Sequence, residues 1–302
     1  MAFELGFDLV GFTTAEPVSE KHSARLRDWL ASGHAGDMHY MGRNFDKRTN
    51  PRALLPNARS VICVGLNYRT TKNGKPGAFA NYALYEDYHK FVKDRLYMLA
   101  VEIKERVSPD RFKFKVCVDT VPLAERAIAE RAGLGFIGKN RMLINPRLGG
   151  QILLGELVST LDLPADNPIK NKCDGCNHCV EACPTGALHI DGTLDASRCI
   201  SYLSMEHKGD IDEQLAGKMD GQLFGCDRCM LACPFEKIAP IRHNSDIRYF
   251  PERCNITAEQ VLHWDEKDFL KVLSDSPCDR AGLAGIKRNA RIAMANRKHD
   301  EH

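Results

Sequence analysis

The sequence predicts an α+β fold that carries an iron-sulfur module, on three observations. Short β-branched or alternating runs, RSVICVGL at 59–66, FKFKVCV at 112–118 and QILLGEL at 151–157, read as strands. Between the first two, Leu84, Phe91, Leu96, Leu99 and Ile103 recur at helical intervals among charged residues over 83–107. Finally, Cys173, Cys176, Cys179 and Cys183, followed by Pro184, have the CxxCxxCxxxCP spacing of a bacterial ferredoxin.

Taken in order, residues 3–15 contain a short alternating run that enters the core as a strand. Ser19 caps a helix over 19–32 that ends at Gly33, with Leu26, Trp29 and Leu30 at helical spacing. The stretch GDMHYMGRNFDKRTNPRALLP reads as a long surface connection, and 59–66 as a central strand. The aperiodic YRTTKNGKPGAFANY that follows is long for a loop inside a domain, as expected of one that covers a site. Ser108-Pro109 ends the helix over 83–107.

The strand at 112–118 ends at Asp119-Thr120, and Thr120 is placed to cap a helix over Val121–Ala132 with Pro122 in its first turn. An acid at the carboxyl end of a strand, just before a helix, stands where open sheets put their ligands, which makes Asp119 a candidate on position alone. The glycines at 133, 135, 138, 149 and 150 permit close backbone approach to a large flat or anionic ligand. Their spacing is not that of a dinucleotide fingerprint.

A second cysteine run, Cys226, Cys229, Cys233 and Pro234, has Leu223 where its leading cysteine would stand. Cys199 fills the vacancy in preference to Cys254, because the chain returns from it to Cys226 without leaving the module. In two-cluster ferredoxins the fourth cysteine of each run serves the other cluster. That rule assigns Cys173, Cys176, Cys179 and Cys233 to one 4Fe-4S cluster and Cys199, Cys226, Cys229 and Cys183 to the second. Zinc is the alternative for CxxC pairs, and the two CxxxCP elements count against it. Cys63 and Cys117 lie in strand-like runs and read as small core residues.

An apolar content of 43% and a charged content of 27% describe an ordinary water-facing protein, and a net charge of +2 singles out no partner. No apolar run is long enough to span a membrane, and the start MAFELGFDLVGFT does not pattern as a secretory leader. A cytoplasmic location with no membrane partner is expected. Paired clusters carry single electrons, and a bare carrier needs only about a third of this length. The residues before the module are therefore expected to hold the place where electrons are used.

Several stretches together resemble the epoxyqueuosine reductase family over nearly the whole chain: LGFDLVGFT, GDMHYM, NPRALLPNARSVICVGLNY, DYHK, VDTVPLAERAIAERAGLGFIGKN, LLGELV, CDGCNHCVEACPTGAL and GCDRCMLACPF. The resemblance implies a nitroreductase-like cobalamin-binding catalytic domain over 1–165. A ferredoxin-like domain with two 4Fe-4S clusters would follow over 166–250. The helical segment 251–302 resembles the start of the HEAT-like repeats of longer members. The cofactors implied are base-off cobalamin and the two clusters, fed by an external low-potential electron donor. The reaction implied is reduction of epoxyqueuosine to queuosine at the wobble position of tRNA. Asp119 would be the proton donor, its pKa raised by burial.

Tyr88, His89, Gly138, Lys139, Asn140 and Arg141 are the candidate cobalamin contacts, since the cofactor presents amides and a phosphate to backbone and cationic donors. Arg43, Lys47, Arg48, Arg52, Lys287, Arg288 and Arg291 are candidates for phosphates of the tRNA anticodon stem-loop. Two alternatives stand beside this reading. One is a corrinoid-dependent enzyme of the reductive dehalogenase type, and the other a ferredoxin-type carrier without catalysis.

Overall fold

In the computed structural model, which describes residues 1–70, 77–107 and 112–300, the strands are β1 (Leu9–Thr14), β2 (Ser60–Asn67), β3 (Phe114–Cys117), β4 (Phe136–Ile137), β5 (Leu143–Ile144) and β6 (Ile152–Ser159). Four of them form one antiparallel sheet in the order β1-β2-β6-β3, and β4 pairs with β5. Every residue of β2 is buried, as expected of an interior strand covered on both faces. The α+β class, with strands at the three runs read from sequence, is as expected.

Period-two alternation sorts the sheet's side chains into two cores. Ile62, Val64, Leu66, Leu153 and Leu157 pack on one face with Val92, Leu96 and Leu99. Val61, Cys63, Cys117, Ile152 and Val158 pack on the other with Ile128 and Ala129. The helices are α1 (Glu20–Ala31), α2 (Phe45–Thr49), α3 (Tyr88–Arg106) and α4 (Glu125–Arg131). Helix α3 approaches the sheet closely because Gly155 has no side chain: a Cβ there would meet Val92 Cγ1 at 2.6 Å.

Helix boundaries differ from expectation in three places. Ser19 occupies the cap position of α1 but its side chain makes no capping bond. Helix α3 begins at Tyr88 rather than 83, because Asp87 caps it by accepting the His89 amide, while Asn81–Leu84 form a separate 3-10 turn. Helix α4 begins at Glu125 rather than Val121, and Thr120 is not its cap. Pro122 disfavours helical backbone at Val121, and the chain from Val118 to Ala124 instead makes tight turns, Thr120 N–H to Val118 O at 2.5 Å and Leu123 N–H to Val121 O at 2.7 Å. The surface connection of 36–56 holds α2 and two 3-10 turns. The Ser108-Pro109 stop, and Thr71–Pro76 of the long loop, lie outside the described residues.

The cysteine-rich part contains α5 (His178–Glu181), α6 (Ile200–Met205), α7 (Glu213–Ala216), α8 (Arg228–Leu231) and α9 (Pro234–Ile238). Beyond it stand α10 (Ala258–His263), α11 (Glu266–Leu273) and α12 (Gly282–Asp300). These last helices share a core with Phe79, Leu84, Leu223 and Phe224. The loop after β2 is thereby tied to the carboxyl-terminal helices, and Ala80 N–H donates to Phe224 O at 2.8 Å. Arg253, 2% exposed, binds the carbonyls of Tyr85 at 2.7 Å and Val272 at 3.2 Å across this seam.

Candidate active site and cysteine quartets

Three side chains from two elements form a proton-bearing chain. The capping turn of α3 brings His89 Nδ1 to 2.5 Å from Asp87 Oδ1, and His89 Nε2 lies 3.1 Å from Asp119 Oδ2. Burial pulls the imidazole pKa down, but the hydrogen bonds and charges of Asp119 and Asp87 outweigh it and push it up to about 9. His89 is therefore a cation at neutral pH. The Tyr88 ring stacks on it with centroids 4.1 Å apart.

Asp119 is not buried as expected: its side chain is 59% exposed. The reason is local, since a left-handed backbone at φ 46° turns the residue off the end of β3 toward the start of α3. Two acids that sequence reading passed over stand beside it, Glu125 partly buried and Glu156 fully buried. Glu125 Oε1 accepts the Asp119 amide at 2.6 Å. Burial, and next the charge of Asp119, push its carboxyl up to about 7. Glu156 lies in β6, opposite Cys63 of β2 and Cys117 of β3. It is 0% exposed, and burial, followed by the charge of Glu125 and a side-chain hydrogen bond with it, holds its carboxyl well above the usual range. The available signal was an acid inside the otherwise apolar run QILLGEL.

Cationic side chains surround these groups. Arg126 is exposed, with desolvation lowering its pKa and the charges of Glu125 and Asp119 raising it. Arg141 lies close to Arg126 and Arg25, and burial first, then their charges, bring it down to about 10. The Nε of Arg48, a helix α2 residue acted on by the charges of Tyr40, Asp119 and Glu125, is buried without a partner. Such unsatisfied donors suit a ligand carrying amides and phosphate.

The glycine-loop candidates divide. Lys139 and Asn140, read as cobalamin contacts, are turned into the cysteine-rich part. Lys139 Nζ donates to Cys176 O at 2.9 Å and Asn177 Oδ1 at 2.7 Å, and Asn140 Nδ2 donates to Cys229 O at 3.4 Å. Gly138 is where backbone needs room: a Cβ would meet Ile144 Cδ1 at 2.6 Å. Arg141 itself takes φ 63°.

The cysteines group by mutual electrostatics. Cys233 feels Cys173 and Cys179, and Cys179 feels Cys173 and Cys176. In a second group Cys199 feels Cys183, Cys226 feels Cys199, and Cys229 feels Cys199 and Cys226, with Cys179 of the first group acting on Cys229 as well. Cys199 caps α6 at the edge of this second group, whereas Cys254 is exposed with Sγ 3.6 Å from the Tyr249 hydroxyl. Burial pushes Cys226 up to about 12 and Cys233 up to about 11. Thiols so reluctant to ionise in the protein alone fit cationic iron, whose binding drives their deprotonation. Among the described residues no three His, Cys, Asp or Glu side chains converge on a single ion; cluster thiolates bind separate irons and need no such convergence.

Of the basic candidates for RNA, Arg43, Lys47 and Arg291 are exposed. Arg288 is not free for phosphate. Its guanidinium donates to Leu203 O at 2.6 Å, His207 O at 2.7 Å and Gly209 O at 2.9 Å, which fastens α12 to the chain after α6. Arg52 is held by Glu16 and by Ala58 O. Lys287 is half-buried. Among the described residues no helix is long and apolar enough to cross a membrane.

Comparison with known proteins gives two family matches. The model for epoxyqueuosine reductase QueG, DUF1730, matches residues 48–120, and that for a 4Fe-4S double cluster binding domain matches 172–236. Epoxyqueuosine reductase of Xanthomonas campestris pv. campestris is 39% identical over 98% of this chain and 85% of its own length. That of Escherichia coli is 37% identical over 99% and 80%. A crystal structure of epoxyqueuosine reductase with an epoxyqueuosine-modified tRNA-Tyr stem loop superposes with a TM-score of 0.88 at 31% identity, covering 98% of this chain and 79% of that one. A Bacillus subtilis epoxyqueuosine reductase, with its catalytic aspartate loop swung out of the active site, gives 0.89 at 30% identity over 99% and 80%.

Proposed function

The chain belongs to the epoxyqueuosine reductase family, and on that premise we propose that it reduces the epoxide of epoxyqueuosine at the wobble position of tRNA to queuosine. The balance is two electrons and two protons taken up, both C–O bonds of the epoxide broken, a C=C bond formed and water released. The observation that carries the reading for this chain is the 3.1 Å contact between His89 and Asp119, in a protein matched along almost its whole length by epoxyqueuosine reductases.

Cys173, Cys176, Cys179 and Cys233 hold one 4Fe-4S cluster, and Cys199, Cys226, Cys229 and Cys183 the other. Base-off cobalamin would be held beside Asp119, and when bound it would supply a strongly reducing cobalt centre. Tyr88, His89, Gly138 and Arg141 border it, and the unpartnered Nε of Arg48 supports the fit. Lys139 and Asn140 act one step back, clamping the cluster-bearing loops to the glycine loop. We read 1–165 as the catalytic unit, 166–250 as the cluster unit and 251–302 as a helical appendage, in a cytoplasmic enzyme supplied by an external low-potential donor.

Asp119 delivers a proton to the departing epoxide oxygen, which leaves poorly as an anion. Because the Asp119 side chain is exposed, its proton comes from a partner rather than from burial: cationic His89 donates to Asp119, and Asp87 holds the imidazole in register. The anticodon nucleotide is turned out of its stack to reach Asp119, and Arg43 and Lys47 meet backbone phosphate.

An anaerobic assay of the reconstituted protein with an epoxyqueuosine anticodon stem-loop and a low-potential donor, read by nucleoside mass spectrometry, tests this. Queuosine is expected from the native chain. Asp119→Asn should keep iron, sulfide and cobalt contents while turnover falls roughly 10²–10⁴-fold, the worth of a positioned proton donor. Full turnover by that variant would overturn the role of Asp119, and absence of product from the native chain would overturn the reaction.

A further inference from the structure

We propose that Glu125 is a positioning residue that latches the Asp119 loop: its carboxylate accepts the Asp119 backbone N–H and holds the 118–124 turn in its catalytic conformation, with Glu156 beneath it governing the latch's charge. This rests on the reading of Asp119 as the proton donor. Three anchors hold the loop. They are Asp119 N–H to Glu125 Oε1 at 2.6 Å, Asp119 Oδ2 to His89 at 3.1 Å, and Ala124 N–H to Arg48 O at 2.9 Å. Of these, the first alone reaches from outside the turn to bind the backbone of Asp119, whose left-handed φ of 46° is uncommon for a residue with a side chain. Within the turn, Thr120 N–H to Val118 O at 2.5 Å closes around Asp119, and the Glu125 bond ties that turn to α4.

The setting makes the latch titratable. Glu125 is faced by Asp119 from the loop and Glu156 from β6, with Arg126 beside it on α4. Its charge also acts on Arg48 of α2, Tyr88 of α3, Cys63 of β2 and Cys117 of β3. Glu156 has no charge partner in the sheet; its side chain lies on the face where alternation also puts Cys63 and Cys117, toward α4. A neutral Glu156 leaves Glu125 free to ionise, and two carboxylates this close do not ionise together. An amide bond to a carboxylate is stronger than one to a neutral acid, so the loop tightens as pH rises through about 7.

Global stability moves the other way. A carboxyl whose pKa is raised from 4.5 to about 7 in the folded protein contributes stability that is present below 4.5 and lost as pH rises through about 7. A loop that becomes better protected while the protein as a whole loses that contribution is the signature of a latch, and a purely structural acid would not produce it.

The test is amide hydrogen exchange of the segment 118–124 in the full, cofactor-loaded chain between pH 6 and 8, corrected for intrinsic rates, with steady-state kinetics on the stem-loop alongside. Glu125→Ala is expected to speed exchange in that segment about tenfold, the loss of one bond to a charged acceptor. It should lower kcat by a similar factor and leave KM and cofactor content unchanged. Glu125→Gln, which keeps the acceptor oxygen without the charge, should give an intermediate rate and abolish the pH dependence of protection. Wild-type exchange in Glu125→Ala, faster exchange spread over the whole chain, or pH dependence surviving in Glu125→Gln would each overturn the proposal. Because exchange needs no substrate, localised faster exchange with no turnover even by the native chain would leave the latch standing and overturn the assigned reaction instead.

Discussion

Two acid–base pairs in this protein use the same chemistry in opposite surroundings. Arg69 and Glu236 are 3% and 2% exposed and stand 3.1 Å apart. Glu236 also accepts Gly150 N–H at 3.0 Å and Gln151 Nε2 at 2.7 Å, while Arg69 reaches Ala239 O. His89 and Asp119 are 30% and 59% exposed and face outward. The first pair spends its donors and acceptors inside the protein, so it can only hold the sheet to the cysteine-rich part. The second leaves acceptor capacity and a titratable proton facing outward, so it can exchange that proton with something that binds. Burial, rather than residue type, separates a fastening from a reactive site.

The strongest way to break this comparison is to remove one partner of the buried pair. Glu236→Ala should cost about 3–5 kcal/mol, because Arg69 is left charged and unpaired in the interior. Denaturant melts would read it, and loss of iron should accompany it since Cys233 lies in the same turn of chain. A change near zero would show that the pair is not a fastening.

A smaller effect is expected at the open pair. His89→Gln should lower turnover by roughly 10²-fold. In the native chain activity should decline as pH rises through about 9, where His89 loses its proton. The stability from this pair, fully present below the imidazole's ordinary 6.5, is lost over the same upper range. The variant should lack the upper limb of the pH–rate profile, and an unchanged limb would assign it to another group.

The smallest effect separates two kinds of surface cation. Lys47→Ala should weaken stem-loop binding a few-fold and reduce the salt dependence of binding by about one phosphate contact. Arg288→Ala should leave that slope unchanged and lower the melting temperature, since its guanidinium is committed to three carbonyls. Equal salt slopes for the two variants would erase the distinction.

Much of the scaffold was legible because its signals are local. The strands at 60–67, 114–117 and 152–159 follow from β-branched and alternating runs, whereas the turn after β3 was read as the start of a helix at Val121. Legibility failed where one residue type serves two purposes. Lys139 and Arg288 read as cations awaiting phosphate, and both are donors to nearby carbonyls. Glu156 was absorbed into a strand, since periodicity reports which face a residue is on and not whether that face will meet an acid.

The sequence by itself determined the strand and helix runs, the spacing of the cysteines and the position of Asp119 at a strand's end, because period and spacing are properties of neighbouring residues. Only the tertiary structure decided that Asp119 stands exposed against His89, that Glu125 grips its amide, and that Glu156 lies buried between Cys63 and Cys117. Those outcomes depend on how the start of α3, the end of β3 and the middle of β6 are packed together. A side chain's proton affinity follows from that packing, through burial and neighbouring charge, and no local pattern encodes it.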